Sequence, residues 1–284
     1  MKPFIEKPVL TEEISFLART YRTPHFEIPW HQHVEYELIL FTEGEGLIFM
    51  GNYVGDFRPG DIFFIGSNLP HTFQKASKDM IVNAVVIQFT EYFWGQDFLL
   101  LPESKSIRKL LDKSANGIRL NAVYGKLIEV LMQEILTATG FDRIISLCKC
   151  LQKIAVHVSS DEQLSTHSIK EFHQKNKERI DKVFQYTIEN FQDTVTLDMI
   201  AQYAGMSTPA FCNYFKKCAK KPYITFLNEI RIGYAASLII DTNKSIESIC
   251  YESGYNTIAN FNKQFQKIKK ITPSAFRKTF RNSL

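Results

Sequence analysis

The stretch ICYESGYNTIANFNKQF, residues 249–265, carries the most structural information in the chain. Ile246, Ile249 and Cys250 recur at helical spacing behind Ser245, a good N-cap. Gly254 then interrupts the pattern where a left-handed residue is needed to turn the chain. Asn256 reads as a second cap, and Phe261 and Phe265, four apart, give the next helix an inner face. Asn260, Asn262 and Lys263 are left pointing outward. A helix that stops at glycine and restarts at once is the signature of a helix-turn-helix.

The same steps occur about fifty residues earlier, in IAQYAGMSTPAFCNYF, residues 200–215. Thr196 caps, Asp198 sits in the first turn, and Leu197, Ile200, Ala201 and Ala204 share one face. Gly205 turns, Ser207 caps, and Phe211 and Phe215 anchor the second helix. The glycines are offset by 49 residues and the phenylalanines by 50. Between the units, PYITFLNEIRIGYAASLIIDT reads as one helix. Over residues 226–242 it spans ~25 Å at the α-helical rise. Two recognition helices can then lie near one DNA turn apart, ~34 Å, on one face. Paired amphipathic helices with a glycine turn also occur in bundles that bind no nucleic acid.

Charge favours the first reading. Residues 175–284 carry 17 basic against 9 acidic side chains, a net +8, whereas residues 1–174 carry 17 against 21, a net −4. Such asymmetry is the footprint of a domain that meets a polyanion. The 284 residues suffice for about two domains, and 45 % hydrophobic content is ordinary globular material. No apolar run has the length of a membrane span, and MKPFIEKPVL lacks a secretory h-region. Five cysteines, odd in number and not spaced like a zinc ribbon, fit reduced thiols in a cytoplasm. There is no P-loop and no nucleophile elbow.

The chain divides further. Residues 5–92 read as short strands (HFEIPW, YELILFTEGEG, GLIFM, GDFRPGDIFFI, IVNAVVIQF) separated by turns, a small antiparallel barrel or sandwich. Two amphipathic helices follow. The first places Leu127, Val130, Leu131 and Ile135 on one face, and the second Ile144, Leu147, Leu151 and Ile154. The segment 157–177, poor in large apolar residues, reads as a seam. The expected boundaries are 1–102 for the barrel, 103–160 for the helical segment, whose apolar faces can pack on the barrel or on a partner chain, 161–176 for a linker, and 177–284 for the double helix-turn-helix; ligand sensing by the first segment and dimerisation by the second are what the family resemblance described next implies.

The C-terminal residues, TLDMIAQYAGMSTPAFCNYFKK and then SIESICYESGYNTIANFNKQFQKIKKITPSAFRK, resemble the DNA-binding domain of AraC/XylS-type transcriptional regulators. The closing Ile271-Thr272-Pro273-Ser274-Ala275-Phe276-Arg277 follows the family pattern closely. The resemblance implies that both recognition helices enter successive major grooves. By position, the base-facing residues are Pro209, Cys212 and Asn213 in the first helix, and Ala259, Asn260, Asn262 and Lys263 in the second. Asn can pair bidentately with adenine and Lys can reach guanine, whereas Pro209 and Cys212 are poor base readers suited to shape and thymine methyls. Lys216, Lys217, Lys267, Lys269 and Lys270 suit phosphates or the solvated face.

The N-terminal stretch WHQHVEYELILFTEGEG, with His31, His33, Glu37 and Gly44, and the later GDIFFIGSNLPH with His71, resemble cupin motifs. Strand alternation puts His31, His33, Glu35 and Glu37 on one face. Cupin enzymes hold a divalent metal with three His and one Glu. Here His25 stands where the first motif has glycine, Lys75 where the second ends in Asn, and Pro-x-Gly is missing before His71. The expectation is therefore a ligand pocket, with no metal or other cofactor and no catalytic residue, lined by Trp30, His33, Glu37 and His71.

The fold expected is α+β: an N-terminal antiparallel cupin-like β-barrel with packed helices and an all-α double helix-turn-helix. The function expected is a cytoplasmic, sequence-specific transcriptional regulator and not an enzyme. Its expected partners are double-stranded DNA, a small-molecule effector with carbohydrate a conceivable class, a second copy in a homodimer, and the transcription machinery, with no membrane. The rivals are a metal-dependent cupin enzyme with a helical assembly domain, and a regulator that needs no ligand.

Overall fold

The structure, a computed structural model, describes residues 4–5, 14–23, 30–76, 80–120, 122–158, 163–165 and 174–281. The first strands are β1 (Phe4–Ile5), β2 (Leu17–Thr23), β3 (His31–Gln32), β4 (Tyr36–Glu43) and β5 (Gly46–Met50). They are followed by β6 (Tyr53–Phe57), β7 (Ile62–Ile65), β8 (His71–Lys75) and β9 (Val82–Phe89). Helix α1 (Lys105–Ser114), the short β10 (Ile118–Arg119), α2 (Ala122–Thr137) and α3 (Gly140–His157) complete the N-terminal half. The C-terminal half is helical: α4 (Gln174–Asn190), α5 (Leu197–Tyr203), α6 (Thr208–Ala219), α7 (Tyr223–Asp241), α8 (Ile246–Glu252), α9 (Ile258–Lys269) and α10 (Pro273–Arg281). Among these, no helix is long and apolar enough to cross a membrane.

The strands form two five-stranded sheets, ordered β1-β3-β8-β5-β6 and β10-β7-β4-β9-β2. All described pairings are antiparallel except β1 with β3. No described ladder joins one sheet to the other, so the expected barrel is a pair of facing sheets and not a closed ring. The expected strand around His25 lies mostly outside the described residues, which resume at Trp30.

Period-2 alternation explains how each sheet buries both faces. On β4, Ile39 and Phe41 point between the sheets, where they meet Ile48, Phe57, Phe63 and Phe73. Leu38 and Leu40 point the other way, onto α1, α2 and α3. On β5, Ile48 and Met50 face inward, while Leu47 and Phe49 join Trp30 against α4, α6 and α7. The molecule is thus layered: three helices, two sheets, then the C-terminal helices.

Helix α3 buries Leu147, Leu151 and Ile154, as the spacing predicts, and adds Cys150. Helix α2 is rotated from the expected face. It buries Ile128, Leu131, Met132 and Ile135 and leaves Leu127 and Val130 exposed at 43 % and 48 %. Its sequence is apolar on more than one side, so periodicity alone did not fix which side meets the sheet. Of the expected linker, the described residues are 163–165 and the start of α4; Gln163 bridges to Ile118. All five cysteines are free thiols.

Candidate nucleic-acid interface and effector site

Both helix-turn-helix units form from local signals. Thr196 Oγ1 accepts the Met199 amide at 3.2 Å, and Ser245 Oγ accepts the Ser248 amide at 3.1 Å, each satisfying an orphan donor of the first helix. Gly205 and Gly254 have φ of +67° and +82°, a region open to glycine at little cost. The chain then closes on itself, with Met206 N donating to Ala201 O and Tyr255 N to Cys250 O. Phe211 and Phe215 are fully buried with ring centroids 5.8 Å apart, and Phe261 and Phe265 repeat this at 5.7 Å.

Two capping expectations need correction. The cap of α9 is Thr257, whose Oγ1 accepts the Asn260 amide, and not Asn256. Ser207 occupies the N-cap of α6 but makes no side-chain cap bond; Thr208 instead donates to Asp198. The repeat also extends past both recognition helices: Lys220 and Lys270 end them at φ +56° and +66°. Non-glycine residues here gave no clear sequence signal.

Pro209, Asn213, Lys216 and Lys217 are exposed along α6, with Cys212 half-buried between them. Ala259, Asn260, Asn262, Lys263 and Lys267 are exposed along α9. Both outward faces are therefore polar or small and open to solvent, above a core of phenylalanines. Lys269 departs from the phosphate reading: its Nζ lies 3.3 Å from Asp56 Oδ1, in the N-terminal half.

In that half, three of the four expected ligand residues converge. Pairing of β3 with β8 sets His31 opposite His71, and His33 and Glu37 complete the group. His33 Nε2 is 3.2 Å from Glu37 Oε2, and His71 Nε2 is 4.0 Å from Glu37 Oε1. Gln88 Nε2 donates to Glu37 Oε2 at 2.7 Å. Gln88 was not anticipated, although the alternation Val82, Ala84, Val86 along β9 points its side chain inward too. Trp30 goes elsewhere. It packs edge-on against Phe184 and lines a cleft of about 600 Å³ between the β8 edge and α4 and α7, together with Phe73, Lys75, Phe191 and Tyr234.

The electrostatics of the cluster follow from burial and pairing. Burial alone would raise Glu37, but the His33 hydrogen bond and the facing imidazoles hold it down at about 2. Burial opposes charge on His33, yet the hydrogen bond and charge of Glu37 and the Glu35 carbonyl raise it above its ordinary value. His71, buried and beside His31, is pushed well below its ordinary value.

The donor set also fits a divalent transition metal. Ligand atoms of His31, His33 and His71 lie within 4.8 Å of one another. His71 Nδ1 is 2.8 Å from Leu69 O and His33 Nδ1 is 3.0 Å from Glu35 O, so N–H donation there presents both Nε2 atoms inward. His71 Nε2 is buried and without a hydrogen-bond partner.

Two family models match the chain, one in each half. Residues 13–87 match the model of the AraC-like ligand binding domain, and residues 200–279 match that of a helix-turn-helix domain. The HTH-type transcriptional activator RhaS of Mannheimia succiniciproducens is 21 % identical over 281 residues, covering 96 % of this chain and 94 % of its own. The HTH-type transcriptional regulator YdeC of Bacillus subtilis is 22 % identical over 259 residues, covering 88 % and 86 %. Among solved structures, ToxT from Vibrio cholerae is 16 % identical, covers 93 % of this chain and 98 % of its own, and has a TM-score of 0.39. The chain belongs to the AraC family of transcriptional regulators, with a ligand-binding N-terminal half and a helix-turn-helix DNA-binding C-terminal half.

Proposed function

We propose that α6 and α9 read two successive major grooves through Pro209, Cys212, Asn213, Ala259, Asn260, Asn262 and Lys263, with Lys216, Lys217 and Lys267 toward phosphates. The observation that carries this reading is the repeated outward face: each recognition helix is pinned by two buried phenylalanines and leaves its opposite side exposed. The protein acts as a regulator and not as an enzyme, in the cytoplasm where its DNA is, and works through the transcription machinery. It pairs as a homodimer through α2 and α3, which expose Val123, Phe141, Ile145 and Val156. The domain limits are those expected from the sequence, 1–102, 103–160, 161–176 and 177–284.

An effector engages His33, Glu37 and His71, with Trp30 at the neighbouring cleft. A charged carboxylate beside imidazoles and the Gln88 amide suits a hydroxyl-rich ligand such as a carbohydrate. The test is retention of genomic DNA fragments by the purified protein at physiological salt, followed by sequencing. A compact motif with two half-elements one turn apart is expected. Uniform, salt-sensitive retention would refute sequence-specific reading.

One observation favours a second reading of the effector site: the inward Nε2 of His71 without a hydrogen-bond partner. His31, His33, His71 and Glu37 would hold a divalent ion, which supplies a Lewis-acidic anchor for an effector oxygen. Stoichiometric iron, manganese, nickel or zinc, lost in His71→Ala, is the expected result; metal-free protein after growth in each ion would refute it.

A further inference from the structure

The hairpin of β5 and β6 touches both recognition helices at the same place. At its turn, buried Asn52 donates from Nδ2 to the carbonyl of Ala219, the last residue of α6, at 2.7 Å. That carbonyl is one of the four left without an intrahelical partner at a helix end. Asn52 is held in turn by Ser165, whose Oγ donates to Oδ1 at 2.7 Å. On β6, Asp56 pairs with Lys269, the last residue of α9, at 3.3 Å, with Arg58 at 3.8 Å on its other oxygen. Ala219 and Lys269 are 50 residues apart, the repeat offset itself, so they are equivalent positions of the two units. Between them, α7 lies against β5 so closely that a Cβ at Gly233 would come within 2.9 Å of Leu47 Cδ2.

The docked hairpin does not mask the DNA-facing surface. Pro209, Asn213, Asn260, Asn262 and Lys263 all remain exposed while Asn52 and Asp56 hold the far ends of their helices. A ribbon that holds equivalent points on two helices constrains the vector between them.

We propose that the β5–β6 hairpin sets the separation of the two recognition helices on DNA, with Asn52 and Asp56 as positioning residues. This rests on the reading of α6 and α9 as a two-groove reader. It also gives the N-terminal half a mechanical connection to that reader: β5 pairs with β8, and Met50 sits opposite His71. The histidine cluster and the hairpin are thus one strand pair apart.

The test uses the full chain and a duplex set built from its retained motif, with the gap between half-elements changed one base pair at a time. Wild type should prefer one gap by about tenfold or more over its neighbours. Asp56→Asn and, separately, Asn52→Ala should flatten that preference toward unity while binding to the best gap falls less. The exchange Asp56→Lys with Lys269→Asp should restore it. The readout is a ratio between gaps, which loss of a phosphate contact by Lys269 does not move. Thermal denaturation of each variant separates misfolding from repositioning, and Asn52→Ala tests the hairpin independently of charge. An unchanged gap preference in both single variants overturns the proposal. So does increased affinity at every gap, which would make the contact autoinhibitory. If wild type itself shows no preferred gap, the two-groove reading fails and the hairpin role falls with it.

Discussion

Gly205 and Gly254 occupy equivalent turns at similar positive φ, yet their surroundings differ, and that difference predicts unequal losses on substitution by alanine. At Gly205 an added Cβ meets nothing within 4 Å. Gly205→Ala therefore suffers only the left-handed backbone penalty, roughly 1–2 kcal/mol. At Gly254 the Cβ would lie 2.6 Å from Phe191 O, 2.9 Å from Gln192 O and 2.9 Å from Arg231 Nε. Arg231 donates to Phe191 O at 2.7 Å and to Asp193 O at 2.9 Å, so moving either neighbour disturbs a clamp between the two units. A charged hydrogen bond contributes about 1.5–3 kcal/mol, and Gly254→Ala should cost roughly 3–5 kcal/mol in all. The gap of about 2 kcal/mol is roughly thirtyfold in an opening equilibrium. Hydrogen exchange at the Phe261 and Phe265 amides in Gly254→Ala, against Phe211 and Phe215 in Gly205→Ala, reads it directly. Equal acceleration in the two variants would show that crowding at Gly254 does not matter.

Imidazole NMR tests the cluster: His33 should be mainly protonated at pH 6.5 and His71 mainly neutral, while common titration near 6.5 would contradict the assigned pairing. The stability consequences have opposite signs. His33, raised on folding, stabilises fully below its unfolded value and loses this as the pH rises through its folded value; His71, lowered on folding, stabilises above 6.5 and loses this as the pH falls toward its folded value. Thr257→Ala, which removes a cap bond, should cost about 1 kcal/mol by urea denaturation, whereas Ser207→Ala should cost clearly less because no such bond exists. If α2 and α3 form the proposed homodimer contact, Phe141→Glu with Ile145→Glu should leave folding intact and halve the mass in sedimentation equilibrium; unchanged mass would reject α3 as the contact.

The helix-turn-helix units were legible because every signal in them is local. Caps, glycines and phenylalanine pairs lie within a turn or two of what they control. Thr257 escaped because Asn256 beside it is equally good capping chemistry. The histidine cluster was legible from alternation on β3 and β4 and one distant His, but Gln88 needed the register of β9 against β4. Trp30, which precedes β3 by one residue, reaches Phe184, a contact no spacing rule contains. The pairing of Lys269 with Asp56 spans 213 residues, and in sequence that lysine is one of a basic run.

Helix α7 is buried along most of its length and is shared. Tyr223, Phe226, Leu227 and Ile230 belong to the core of the first unit, while Ile232, Ala235, Leu238 and Ile239 belong to that of the second. Neither unit owns a complete interior, so melting one strips the wall from the other, and the pair should unfold in a single cooperative step. The repeat thus supplies two copies of a reading head but one folding unit. A graft that exchanges one head for another must carry its own half of α7, or it will leave a bare apolar stripe where its neighbour expects a wall.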